Sequence, residues 1–175
     1  MARNSVRLIG SAGLSGVPVY TWQRDDRDTS SEVAGRAGEL YKTSGAGAAF
    51  AVRLLDADLT IGTDQPFLGL GAKDATETAT ADGVVEMYIP LPGLLYEIIA
   101  LTATAADTRA EIDTMRGDYQ VIDVASTAVD AAITLDTAIG SGANNAFLVI
   151  DGDPSRSALW VMVRADGTAI GRGSA

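Results

Sequence analysis

The chemistry open to this chain is set first by what it lacks: its 175 residues include no histidine and no cysteine. Without histidine it lacks the side chain that most often moves protons near neutral pH and most often binds transition metals. Without cysteine it has neither thiol nucleophiles nor thiolate metal sites. Carboxylates remain. Asp56 and Asp58 fall on one side of an extended segment, and Asp151 and Asp153 could offer oxygens to calcium, yet neither pair has the ligand spacing of a dedicated calcium loop. Both read as solvated turn carboxylates. Paired carboxylates can hydrolyse glycosides, but no pair stands out and no aromatic cluster offers a sugar platform. Gly69-Leu70-Gly71 lacks the third glycine and following helix of a dinucleotide fingerprint, and no Gly-Lys-Ser/Thr occurs, so a phosphate loop is not expected. The expectation is a protein that is not an enzyme, with no cofactor and no metal.

The elements that would carry any site are strands. Asp82-Gly83 separates residues 76–80, where Thr76, Thr78 and Thr80 alternate with Ala75, Glu77 and Ala79, from the apolar run 84–89. Asp and Gly tolerate the positive φ of a two-residue turn, so this predicts a β-hairpin. Pro90 and Pro92 remove backbone donors and end that strand or place it at an edge; Gly93 then allows the turn into residues 94–103, expected to be the most buried strand. Further strands are predicted at 50–55, 59–61, 67–70, 119–124, 147–150 and 159–164, and residues 127–137 fit a strand or a helix. Asp166-Gly167 predicts a second hairpin, with a short final run at 168–170. Thr108 followed by Glu111 forms a capping box, Ile112 and Met115 share one face, and Gly117 supplies the stop of a short helix. Many short strands, glycine-bearing turns and one helix predict a mainly β protein, a small β-barrel or β-sandwich with one short α-helix and an extended N-terminal arm. Its core is expected to include Leu95, Ile98, Ile112, Val121, Ile122, Leu148 and Trp160.

Charge divides the chain. Residues 1–53 hold seven Lys/Arg against five Asp/Glu, net +2, while residues 54–175 hold six against eighteen, net -12. The overall charge of -10 argues against a nucleic-acid or anionic-membrane partner, since both recruit basic surface. The first residues lack the apolar run of a secretory signal, and no uncharged apolar stretch reaches the ~18 residues of a membrane span. A soluble product of the cytoplasm is expected.

Residues 1–48 are rich in Gly, Ala and Ser and are expected to form an extended arm, with short extended pieces at 6–9, 17–22 and 39–42; residues 49–175 would form the barrel-like body. Tyr20, Trp22 and Tyr41 lie in this arm, and large aromatics bury much area with few rotamers to freeze. With Arg24 and Arg27 they are the candidate contact residues; the other reading of the three aromatics is that they cover the arm's own domain. The arm is expected to leave its own body and lie along a neighbouring subunit or partner surface.

Residues 54–106 carry a resemblance. Asp58-Leu59-Thr60, Asp64-Gln65-Pro66-Phe67, Thr78-Ala79-Thr80-Ala81-Asp82-Gly83-Val84-Val85, Ile89-Pro90-Leu91-Pro92-Gly93 and Thr102-Ala103-Thr104-Ala105-Ala106-Asp107-Thr108 together resemble the head decoration, or cement, proteins encoded beside the major capsid protein of tailed bacteriophages. The resemblance covers about residues 54–124, extends faintly to Asp151-Gly152-Asp153-Pro154, and is not evident in the arm. It implies a β-rich body, made in the host cytoplasm, that sits on the outer capsid surface of the virion and clamps neighbouring capsid subunits. The implied partners are the major capsid protein and copies of the chain itself, with no catalytic residues to carry over. Two other classes stay open: a virion-displayed receptor- or carbohydrate-binding module, and a carboxylate-based hydrolase.

Overall fold

A computed structural model describes residues 6–11, 16–24, 37–43, 51–53, 67–74, 83–91, 93–124, 132–137 and 145–168. Eleven strands and one α-helix lie among them: β1 (Arg7–Ser11), β2 (Val19–Arg24), β3 (Leu40–Thr43), β4 (Ala51–Arg53), β5 (Phe67–Gly71), β6 (Gly83–Tyr88), β7 (Leu94–Ala100), α1 (Arg109–Met115), β8 (Tyr119–Val124), β9 (Ile133–Asp136), β10 (Phe147–Asp153) and β11 (Ala158–Val163). The protein is mainly β, as its sequence predicts. Five strands close into a barrel in the order β2-β4-β3-β5-β6, and six form a sheet in the order β1-β7-β11-β10-β8-β9. That sheet curls until β9 pairs in parallel with β7 through Ile99 and Ala100, while β1 pairs antiparallel with the first half of β7.

The side-chain period explains how the two sheets meet. In β6, Val85 and Met87 point inward and are buried, and Val84 between β2-paired positions is exposed, the alternation of a strand with one wet face. In β5 every position is buried, because both faces meet protein. Leu68 faces the barrel interior with Tyr41, Ala51, Val85 and Met87, while Phe67 and Leu70 join the larger core under the six-stranded sheet. There Phe67 packs edge-on against Tyr96 and Phe147, with ring centroids 6.5 and 6.1 Å apart. Gly69, between Leu68 and Leu70 on β5, lets β6 approach closely, because a Cβ there would run into the Tyr88 carbonyl oxygen. β5, rather than the run 94–103, is therefore the strand buried at every position, although β7 has the more partners.

The helix forms where its local code places it. Thr108 Oγ1 accepts from the Glu111 N–H, and Glu111 Oε2 accepts from the Thr108 N–H at 2.9 Å and its hydroxyl at 2.8 Å. Ile112 and Met115 enter the core, and Gly117 at φ +86° ends the helix while donating to the Val149 carbonyl. Arg109 and Arg116 both reach Asp113 and Asp151, tying α1 to β10.

Three expectations need correction. The described strands of the 1–48 arm do not leave the body: β1 pairs with β7, β2 with β6 and β4, and β3 with β4 and β5, so residue 48 marks no structural boundary among the described residues. Asp166-Gly167 is not a hairpin; residues 165–167 form a 3₁₀ turn, after which Thr168 bridges in parallel to Phe67. Of the expected core, Ile98, Ile112, Val121 and Ile122 are buried, but Leu95, Leu148 and Trp160 are only partly so, since β7, β10 and β11 alternate and these three point to the outer face. Residues 76–80 and 59–61 lie outside the described residues; the described partners of β6 are β2 and β5.

Two measurements follow from this packing. Ile98→Ala should cost about 2 to 5 kcal/mol. Tyr96→Phe should leave stability unchanged or raise it, because the Tyr96 hydroxyl is buried with no protein partner and burial pushes its pKa up. Chemical denaturation checks both. At the helix start, hydrogen bonding from Thr108 holds the Glu111 carboxyl below the usual Glu range. A lowered carboxylate stabilises the fold above its ordinary pKa and loses that effect as pH falls through the folded value. The stability advantage over Thr108→Ala should therefore be full near neutrality and shrink as the pH falls below the ordinary Glu range, read from melts across that range.

Candidate interaction surface

β2 brings two of the candidate aromatics onto the barrel wall. Its antiparallel register with β6 sets Tyr20 opposite Met87 and Trp22 opposite Val85, so the two aromatics follow the same side of the strand. Trp22 is half-buried against the barrel core of Tyr41, Ala51, Leu68, Val85 and Met87. Nearer the strand's start, Tyr20 escapes that cover and is 51% exposed, beside Val19 at 44%. Val19, Val84 opposite Gln23, and Glu86 opposite Thr21, whose Oε2 meets Lys73 Nζ at 2.8 Å, lie on the other face of this closed, hydrogen-bonded wall.

Tyr41 is a different case. It is fully buried on β3, opposite Gly69 of β5, and so belongs to the barrel core and is not available to a partner. The expectation that it is a contact residue is corrected in favour of the other reading, an aromatic that packs within its own domain, because the barrel strands enclose it. Arg24 ends β2, its backbone paired with Gly83 and Ala51, while its side chain and the whole of Arg27 lie outside the described residues.

The carboxylates mostly serve the fold. Asp153 Oδ1 accepts from the Ser155 N–H at 3.0 Å and hydroxyl at 2.7 Å, capping the 3₁₀ turn Pro154–Arg156, and Asp151 takes the two helix arginines and the Gly152 N–H. Asp56 and Asp58 lie outside the described residues. Asp107 is raised by its hydrogen bond to Glu111, while Glu111 is lowered first by Thr108; both are exposed at the helix start, an arrangement that caps a helix. Among the described residues no group of three or more acidic side chains could hold a metal ion, and no described helix is long and apolar enough to cross a membrane.

Comparison with family models, curated proteins and solved structures finds no match. The surface must be read from its own chemistry.

One grouping escaped the sequence reading. Glu97, at 5% exposure, sits inside the apolar run Leu94–Ala100, and Arg7 and Arg156 both reach it. The signal was present, since an acid inside such a run must find a cation or stay neutral, but the partners are far away in sequence.

The contrast between Tyr20 and Tyr41 is measurable. Tyr20→Ala should change stability by no more than about 0.5 kcal/mol, as an exposed substitution does. Tyr41→Ala should cost about 3 to 5 kcal/mol, as deletion of a core aromatic does. Urea titrations of the two variants separate surface from core.

Proposed function

We propose that the protein is a structural virion component that binds the outer surface of a tailed-phage capsid and holds neighbouring major capsid subunits together. The observation that carries this reading is Tyr20, half-exposed near the start of β2 on a closed barrel. A large side chain kept in place by a rigid wall loses little freedom when a partner covers it, which is what a docking anchor needs. The resemblance of residues 54–124 to decoration proteins supplies the kind of partner. The acidic balance of the chain suits a surface turned away from packaged DNA, which would repel it.

The arm enters this reading in a changed role. Because β1, β2 and β3 are built into the sheets, contact with the shell comes from the barrel wall itself.

Purified protein mixed with empty shells, assembled from the major capsid protein of the same genome, should co-sediment at a fixed ratio and raise the shells' melting temperature. Tyr20→Ala should weaken binding by at least about tenfold with its fold intact. Absence of binding by the parent protein sinks the proposal; a melting shift of the free protein on a glycan panel would favour a carbohydrate-binding module instead.

A further inference from the structure

We infer that Arg7 and Arg156, held by the buried Glu97, form a docking point for a carboxylate side chain of a partner protein. Glu97 lies on β7, the strand at which the curled sheet joins, and its side chain is 6% exposed. From one edge, Arg7 of β1 places Nε at 3.0 Å and Nη2 at 2.5 Å from Glu97 Oε1. From the other, Arg156 in the turn between β10 and β11 places Nη1 at 2.7 Å from the same oxygen. One carboxylate thus orients two guanidinium groups that come from positions 7 and 156.

The charge count is what separates this grouping from its neighbours. Arg109 and Arg116 meet Asp113 and Asp151, two cations against two anions, and Lys73 meets Glu86 one to one. At Glu97 two cations share one anion. An excess positive charge therefore stands at a fixed place on a chain whose net charge is -10.

The two arginines also keep donors in reserve. Their contacts with Glu97 use Nε and Nη2 of Arg7 and Nη1 of Arg156, so Nη1 of Arg7 and Nε and Nη2 of Arg156 remain for a ligand. Their side chains are 53% and 44% exposed, so a partner can approach them from solvent. A planar fork whose position is already set matches a carboxylate with two parallel hydrogen bonds and loses less entropy than a free arginine would.

A carboxylate on a protein fits better than a polyanion. A nucleic acid would bring a dense line of phosphates to an acidic chain, whereas a single side chain meets only the local excess, because the remaining charge is screened beyond ~8 Å. The inference stands on the Arg7–Glu97–Arg156 geometry and takes from the proposed function only that the partner is a protein surface.

The test reads the arginine Nε–Hε signals of the full chain by nitrogen-15 NMR, with a blocked Gly-Gly-Glu-Gly-Gly peptide as probe. The peptide should move the Arg7 and Arg156 signals together along a saturable curve, while the same peptide with glutamine in place of glutamate should not. Arg156→Gln leaves Glu97 paired with Arg7, and should weaken the response of Arg7 by at least about fivefold; Arg156→Lys, which keeps the charge, should retain part of it and guards against a folding artefact. No saturable shift, or inorganic phosphate saturating as tightly as the peptide at equal ionic strength, overturns the inference. Shells that bind the parent and Arg156→Gln equally well also overturn it, whereas shells that bind neither defeat the capsid reading and leave the peptide result to decide this one.

Discussion

The structure depends on a wall with no wet side. β5, a barrel strand, sends Leu68 into the barrel and Phe67 and Leu70 into the larger core, so it lines both cores. β3 does the same with Tyr41 and Leu40. A glycine at position 69 lets the neighbouring strand approach closely enough for both faces to pack, and Phe67 then closes against Tyr96 and Phe147. Two sheets joined this way cannot shift past one another without opening both cores. That rigidity is what lets a barrel surface present Tyr20, and a sheet surface present Arg7 and Arg156, at fixed positions.

What was legible in the sequence was what is encoded locally. The capping box at Thr108 and Glu111, the glycine stop at Gly117 and the strand at residues 119–124 appear where short-range rules put them. The mainly β class followed from the same alternation and turn signals. What failed was anything decided by distant pairing. Tyr41 sits among glycines, alanines and serines, and only its pairing opposite Gly69 makes it a core residue. The arm looked unable to build a core, which is true of it alone; its strands succeed by borrowing β7, β6 and β5.

The candidate surface shows the same division. Tyr20 and Trp22 were visible as aromatics in an otherwise small-residue stretch, yet their different exposure depends on where β2 lies across Met87 and Val85. The Glu97 grouping was harder still. Position 97 could be recognised as an acid that needs a cation, but neither Arg7 nor Arg156 is distinguished from other arginines until β7 has partners on both edges.

That arrangement also sets an order of events in time. Arg7 meets Glu97 across 90 residues of chain, and Phe67 meets Thr168 across a span of similar scale. A chain made from its N-terminus produces β1 and β2 long before β7 and β6 exist to receive them, so these strands wait with open edges during synthesis. Long loops must close before their contacts reward the closure, which places such topologies among the slower folders, in the range of about milliseconds to seconds. Glycine, alanine and serine around β1 to β3 suit that interval, because a waiting segment poor in large apolar side chains gives wrong partners little to hold.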